Sequence, residues 1–403
     1  MHVLVIPSER YVTKEEPLGG IFQYHQARAL RRAGVQVGVA APAPRSLRLL
    51  KGGMKGWTTG IEFENDQGIP IYRYQGWGWV PGRTPYLTAW FRLAIGKSLF
   101  ERYVAEQGMP DVIHAHNALY AGAIAALIRK EHDIPYVVTE HNTMHARGKV
   151  RRWQIPIARN ALRNAAVRIV VSTNLGQVLE AQFGEDVCPW EWIPNVLDEI
   201  FEKTAFLSEK KMHTQETIRF LNVALLNKKK GHADLLKAFA YKFKGKNNVQ
   251  LHIGGDGPLR HELETLASNL GIEGQVTFLG LLSREQVLSE MQACNVFVLS
   301  SHYETFGVVL IEALACGKPV VATTSGGPEC IVHTANGILV PPKDVTALGN
   351  AMEEIVQRID SYDGTLIRKD CIVRFGENAV VEKLRAVYIQ VLASSQESEE
   401  GIK

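Results

Sequence analysis

Short, continuous apolar runs alternate with amphipathic stretches along almost the whole chain. No other feature of the sequence restricts the fold as strongly. HVLVIP (2–7), VQVGVAAP (35–42), DVIHAH (111–116), PYVVTEH (135–141) and VRIVVST (167–173) read as strands. IRFLNVALL (218–226), VQLHIGG (249–255), QVTFLG (275–280), NVFVLSS (295–301) and KPVVAT (318–323) form a second series. A strand apolar at consecutive positions buries both of its faces, which happens in parallel sheets covered by helices. The stretches between have helical spacing: IFQYHQARALRRAG (21–34), ALYAGAIAALIRKEH (118–132), HADLLKAFAYKF (232–243) and LRHELETLASNLG (259–271). The expected class is α/β, with two Rossmann-like doubly wound domains.

The pattern breaks at WIPNVLDEIF (192–201), where Pro194-Asn195 interrupts it. The expected domains are residues 1–195 and 196–375, with the polar stretch SEKKMHTQET (208–217) leading into the second. A last amphipathic helix over about 376–395 is expected to pack back on the first domain, with 396–403 as a disordered tail. At 403 residues, 46% hydrophobic and 22% charged, the chain has ordinary globular composition. No apolar run approaches the roughly 18 residues that span a bilayer. MHVLVIPSER lacks a basic n-region and a long h-region, so it reads as a buried strand, not a signal peptide. Five scattered cysteines without CxxC suit a reducing cytoplasm and argue against a structural zinc site. The net charge of +3 conceals an asymmetry. Residues 1–195 carry 23 Lys and Arg against 16 Asp and Glu, whereas the remainder carries 22 against 26. A basic half joined to an acidic half suggests that one lobe meets an anionic surface or substrate.

Ligands of doubly wound domains bind beyond the carboxyl ends of the strands. ETFGVVLIEALACGKPVVAT (304–323) follows such a strand, with Glu304 at its end and Glu312 eight positions later. Phe306 and Gly307 open a helix whose free amides favour phosphate. With a helix from about Thr305, Glu312 lies roughly 12 Å further along. That separation suits a sugar on one carboxylate and a ribose diol on the other; a helix cap and an incidental buried glutamate is the plainer reading. In NVALLNKKKGHADLL (222–236), the Lys228–Lys230 triplet is either a solvated loop or a phosphate cradle. Gly19-Gly20 precedes a helix and reads as a turn. His141 ends one strand, and His114 and His116 end its expected neighbour; a structural role is open for each. No Asp-x-Asp and no cluster with metal-ligand spacing occurs. GGDGPL (254–259) lacks the third glycine of a dinucleotide turn, which disfavours a nicotinamide-dependent dehydrogenase.

The stretch 296–342, VFVLSSHYETFGVVLIEALACGKPVVATTSGGPECIVHTANGILVPP, resembles the donor-site signature of glycosyltransferase family 4, a large retaining family of GT-B fold. The Glu-x7-Glu element matches at Glu304 and Glu312, and the similarity continues through 251–280. It covers nearly all of the second domain specifically and the first more loosely. The resemblance implies two domains facing each other across a cleft. It implies Glu304 on the donor sugar and Glu312 on the ribose. Phe306 and Gly307 would offer backbone amides, beside a loop of Ser325, Gly326 and Gly327. Lys230 matches the diphosphate lysine. Many relatives carry arginine where Leu225 stands, which puts a second phosphate cation in doubt. Gly19 and Gly20 match a loop near the donor phosphates, and His141 matches the active-site histidine.

The implied activity is retaining transfer of a hexose-type sugar from a nucleoside-diphosphate sugar to a hydroxyl of a glycan or lipid-linked acceptor. The similarity is greatest to enzymes of bacterial surface-polysaccharide synthesis. No cofactor and no metal is expected, and no nucleic-acid partner. The expected location is cytoplasmic, with peripheral contact on an anionic inner leaflet through the basic stretch 146–168. Two alternatives are a GT-B sugar-nucleotide 2-epimerase and a non-catalytic sugar-nucleotide binder. The aromatic segment GWGWVPGRTPY (76–86) is expected to face the acceptor. Neither the sugar, the nucleotide nor the acceptor is written in the motifs.

Overall fold

The computed structural model describes residues 1–13, 19–45, 59–78, 85–205 and 217–400. They form two compact units. One comprises Met1–Val171, Gly176–Val196 and Val380–Lys403, the other Ser172–Leu175 and Leu197–Ala379. Most of the aromatic segment, residues 79–84, and most of the polar stretch, residues 208–216, lie outside the described residues.

Among the described residues the first unit holds eight strands: β1 (His2–Pro7), β2 (Gln36–Ala41), β3 (Ile61–Asp66), β4 (Ile69–Tyr74), β5 (Val112–His116), β6 (Tyr136–Glu140), β7 (Val167–Val170) and β8 (Glu191–Trp192). Their order is β3-β4-β2-β1-β5-β6-β7-β8, parallel except for the β3–β4 pair. That hairpin escapes a search for continuous apolar runs because β3 is an edge strand exposed along nearly its whole length. Its two-residue turn, Gln67-Gly68, takes positive φ at both positions (51° and 84°). Such turns match the strand twist. The last helix, Glu377–Glu400, presents Val380, Val381, Leu384, Val387, Tyr388 and Val391 to the core of this unit. That spacing is one helical stripe. The helix continues through residues 396–400, where the sequence suggests a disordered tail.

The second unit holds six parallel strands: β9 (Ile218–Val223), β10 (Val249–Gly254), β11 (Val276–Gly280), β12 (Val296–Leu299), β13 (Val320–Thr323) and β14 (Gly337–Val340). Their order is β11-β10-β9-β12-β13-β14. Strand order reverses at β9/β12 here and at β1/β5 in the first unit. At such a point the loops leaving neighbouring strands diverge and open a crevice at their carboxyl ends. Each unit therefore has one place where a ligand is expected.

Candidate active site

At the β9/β12 reversal, backbone contacts draw two loops together. Asn227 caps the turn Lys228–Lys230, its Oδ1 accepting from Lys229 N at 3.2 Å. Gly231 follows with φ 67°, and a Cβ on it would lie 2.0 Å from the Ser300 carbonyl oxygen. Only glycine lets the two strand ends meet so closely. Ser300 Oγ donates to Lys230 O (3.0 Å), and His302 N to Lys229 O (2.7 Å). Pinned in this way, Lys230 Nζ donates to Glu304 Oε2 at 2.6 Å. Ser301 Oγ donates to the same oxygen at 3.3 Å. The two charged side chains are only 16% and 15% exposed, so water screens them little.

Glu304 lies ahead of the next helix, not within it. That helix spans Val308–Ala315, starting later than the sequence suggests, because Gly307 at its N-cap adopts φ 99°, outside helical space. No side chain caps it, and of its first-turn amides Leu310 N is taken by Gly307 O at 2.9 Å. Phe306 turns its ring into the core, edge-on to Phe375 at 5.7 Å, which leaves its backbone facing the loop behind it. A Cβ on Gly327 would lie 2.4 Å from that backbone. Glu304 N donates to Ser325 O at 2.9 Å, fastening the same two segments. The Gly326 amide is already engaged, by both carboxylate oxygens of Glu329 (3.1 and 3.0 Å).

Glu312, the fifth residue of the helix, is 1% exposed. Its Oε1 accepts from Arg284 Nη2 at 2.6 Å, and its buried Oε2 has no partner among the described residues. Arg284 also donates from Nε (3.0 Å) and Nη2 (2.9 Å) to Asp198 Oδ2, and lies over the Phe201 ring at 5.0 Å. Burial alone would lower the proton affinity of this guanidinium. Glu312 and Asp198 outweigh it and hold the group firmly charged. Glu312 therefore gives one oxygen to Arg284 and leaves the other unused among the described residues.

In the first unit, the sequence-marked histidines stack. The His114 and His116 rings lie 4.4 Å apart, and His116 and His141 5.1 Å apart. His116 Nδ1 and His141 Nε2 share a hydrogen bond at 2.9 Å. His114 bonds the Tyr388 hydroxyl (2.6 Å) and Thr139 Oγ1 (2.7 Å), so the last helix holds one end of the stack. His141 is half-buried as a residue, with its ring also stacked against Phe22 at 6.5 Å. Burial, with the neighbouring His141, pushes His114 down to about 3. Burial pushes His141 to about 4, opposed by the Asn195 side chain. His116 falls well below the ordinary histidine value through burial and its two neighbours. All three are neutral at pH 7. Next to them, the buried Glu140 carboxylate accepts from three backbone amides: Ala118 (2.9 Å), His141 (3.1 Å) and Asn142 (2.9 Å). Gly20, at φ 65°, is the N-cap of helix Ile21–Arg32, with Gly19 in the turn before it.

Comparison with known proteins gives this geometry a family. A family model described as Glycosyltransferase Family 4 matches residues 20–199, and one described as Glycosyl transferases group 1 matches 204–362. The chain belongs to glycosyltransferase family 4. Among curated proteins, the enzyme is 28% identical over 371 residues to the putative teichuronic acid biosynthesis glycosyltransferase TuaC of Bacillus subtilis, covering 87% of this chain and 88% of that one. It is 28% identical over 311 residues to the N-acetyl-alpha-D-glucosaminyl L-malate synthase of Bacillus anthracis, covering 75% and 80%. Among solved structures, it is similar in fold to sucrose-phosphate synthase from Thermosynechococcus elongatus, with TM-score 0.77, 21% identity and coverage of 98% and 100%. Anabaena HepE in complex with UDP gives TM-score 0.72 at 20% identity, covering 97% and 100%. The fold of this glycosyltransferase is thus GT-B, built from two parallel-sheet units.

Within the second unit, the glycosyltransferase brings Lys230, Glu304, Phe306, Gly307 and the Ser325–Gly327 loop together, with Glu312 held by Arg284. Gly19, Gly20 and His141 belong to the first unit. Leu225, at the position where the resemblance leads one to expect arginine, is 52% exposed. Arg284 and Asp198 are absent from the sequence reading. Arg284 opens an ordinary helix behind a capping box at Ser283, and no local pattern marks its reach to Glu312. Tyr388 was likewise one apolar-stripe residue among several.

Proposed function

We propose that this enzyme transfers a hexose-type sugar from a nucleoside-diphosphate sugar to a hydroxyl of a glycan or lipid-linked acceptor, with retention at the anomeric carbon and without a metal. The observation that carries this reading is the Lys230–Glu304 pair at the carboxyl end of β12, beside an uncapped helix start. A bound donor would exchange that pair for two ligand contacts. Lys230 would turn to the diphosphate and Glu304 to the sugar hydroxyls, while the unused oxygen of Glu312 would accept from the ribose. The charge-assisted bonds lost and gained are of similar kind, so the exchange need not be costly.

The reaction is a front-face displacement. The bond between the anomeric carbon and the β-phosphate oxygen breaks as the acceptor oxygen bonds to the same face of that carbon. The departing phosphate oxygen takes the acceptor proton. Lys230 and the helix amides stabilise the charge that develops on the diphosphate. His141, neutral at pH 7, supports the sugar by hydrogen bonding and not as a cation. The TuaC name places that relative in teichuronic acid biosynthesis, and the HepE structures hold UDP, so UDP-sugars are the first donors to test. Work on a lipid-linked acceptor would be done at the cytoplasmic face of the membrane through peripheral contact. No helix among the described residues is long and apolar enough to cross it.

The test is a thermal-shift screen of UDP-, GDP- and ADP-sugars followed by product analysis. The correct donor should raise Tm, and Glu304→Gln should cut transfer severely while keeping the fold. Loss of activity in EDTA with recovery on Mg²⁺ would overturn metal independence. Epimerised donor in the absence of acceptor would replace the transferase reading with the epimerase.

A further inference from the structure

A second crevice lies at the β1/β5 reversal of the first unit, and its lining is unusual. A cavity of about 170 Å³ is bounded by the loops that leave β1, β5 and β6, together with Arg92 of helix Pro85–Gln107. At roughly 30 Å³ per water, it holds the equivalent of five or six waters. That admits the end of a small molecule and not a nucleotide sugar.

The loop leaving β5 is held in a strained shape. Asn117 sits at φ 71°, ψ 137° and Tyr120 at φ 67°, ψ −66°. Non-glycine residues there each cost on the order of 1–3 kcal/mol and persist only where surrounding contacts dictate them. Those contacts are visible. Ser8 Oγ donates to His116 O (2.7 Å) and Leu119 O (2.9 Å), and the Arg92 guanidinium lies 4.6 Å over the Tyr120 ring.

The chemistry of the lining is an excess of donors. Arg92 is half-buried and makes no ion pair among the described residues. Asn117 and Asn142 each give the side-chain oxygen to a backbone amide, His141 N at 3.0 Å and Met144 N at 2.9 Å. Their NH₂ ends donate no bond among the described residues. Glu140 also borders the cavity, but its oxygens already accept the three amides described above. Glu9 is exposed and has an interaction of its own.

We propose that this cavity is the acceptor subsite and that it takes a hydroxylated carboxylate, with the carboxylate on Arg92 and the neighbouring hydroxyls on Asn117 and Asn142. The inference rests on the transferase reading for the word acceptor, and on the cavity alone for the ligand class. A planar guanidinium matches a carboxylate with two parallel bonds. A phosphate dianion fits less well, because one cation beside two glutamates cannot offset its second charge. Two sources share the favoured chemistry: a free hydroxy acid and a uronic-acid unit of a glycan.

The test is equilibrium binding to the full chain, with glycerate, methyl glucuronide, methyl glucoside and inorganic phosphate as probes. At least one carboxylate should bind about tenfold more tightly than methyl glucoside, and the tighter of the two names the source. Arg92→Gln should erase that preference, and Arg92→Lys should keep part of it, with UDP affinity unchanged in both. If Arg92→Gln fails to fold, Asn142→Ala should weaken binding of the hydroxylated carboxylate through its lost hydroxyl contact while leaving the Arg92–Tyr120 contact and the preference for carboxylate in place; unchanged affinity would overturn the proposal. Equal binding of carboxylates and glucoside, no binding of either, or tighter binding of phosphate would overturn the proposal. Carboxylate binding without transfer from any donor would keep this subsite and remove the transferase reading.

Discussion

The two units place their distinctive groups at the same topological position but with opposite chemistry. In the second, charge is matched locally: Lys230 against Glu304, and Arg284 against Glu312 and Asp198. In the first, the corresponding groups are neutral histidines stacked on one another, beside a carboxylate satisfied by amides. A site of paired charges suits a ligand that carries charge, because the pairs can be exchanged for it. A neutral stack suits shape and hydrogen bonding, and leaves Arg92 as the group beside it that can meet a ligand's charge. The difference predicts that losses in the second unit fall on the chemical step and donor binding, whereas those in the first, His141 apart, fall on fold and acceptor choice.

The largest effect expected is at the Lys230–Glu304 pair. Lys230→Ala should reduce kcat by about 10²–10³-fold, or roughly 3–4 kcal/mol of transition-state stabilisation. Glu304→Gln should be comparably severe. Steady-state transfer assays with the identified donor decide it. Rates near wild type for both variants would break the assignment of the reacting centre to the second unit.

Next is Arg284. Its removal leaves Glu312 (2% side-chain exposure) and Asp198 (7%) as buried carboxylates without their cation. Breaking such a pair costs about 3–5 kcal/mol. Arg284→Met should therefore destabilise the second unit and raise the donor KM more than it lowers kcat. The chain offers a means of localising the loss. All seven tryptophans fall between residues 57 and 192, in the first unit. Calorimetry should show a lowered transition while the tryptophan fluorescence melt stays in place. A fluorescence shift of equal size would mean that the units do not melt separately.

The same contrast explains what was legible in the sequence. Ten strands are visible because each is a continuous apolar run between turns. The β3–β4 hairpin is missed because an edge strand such as IEFEND has no reason to be apolar. Glu304, Lys230 and the glycines can be read because each sits within a short local stretch that resembles a family motif. Arg284 cannot, since its partners Asp198 and Glu312 lie 86 and 28 positions away and nothing in its helix requires them. Asn117, Tyr120 and Arg92 are illegible for a similar reason: positive φ at an asparagine or tyrosine is imposed by tertiary contacts and leaves no local signature.

Acid should separate the units as well. A histidine held neutral by burial binds fewer protons folded than unfolded. Its stabilising effect is present above the unfolded value of about 6.5 and is lost as pH falls toward the folded value. His114, at about 3, and His141, at about 4, place that window between about pH 6.5 and pH 3 to 4. By pH 5, a fully buried histidine of this kind is destabilising by about 2 kcal/mol. The first unit carries three in one stack. In the second, His232 is pushed to about 4 by burial and by Lys230. The tryptophan melt should therefore fall further between pH 7 and pH 5 than the calorimetric transition of the second unit. His114→Gln should reduce the difference. Parallel falls in both transitions would contradict the stack as the acid-sensitive element.

The smallest effect expected concerns the surface charge that distinguishes the units. Residues 146–168 carry Arg147, Lys149, Arg151, Arg152, Arg159, Arg163 and Arg168 and no acidic residue. The fold already employs some of these. Arg163 pairs with Asp186, and Arg168 donates to the carbonyls of Leu162 (3.0 Å) and Ala165 (3.3 Å) at the end of helix Gln154–Arg163. Trp153, Ile155 and Ile157 are half-buried, which limits how far they can enter a lipid surface. The basic residues that remain exposed, Lys149, Arg151 and Arg152, are the ones positioned to meet anionic headgroups. Each contributes about 1 kcal/mol near such a surface. Attachment should then be weak, peripheral and abolished near 1 M salt, where the Debye length is about 3 Å. Co-sedimentation with vesicles containing anionic lipid should recover more enzyme than neutral vesicles do. Changing Arg151 and Arg152 to glutamate should remove the excess without altering donor binding, since both residues belong to the first unit. Equal recovery with both vesicle types would limit the charge asymmetry to solubility and leave the acceptor to be sought in solution.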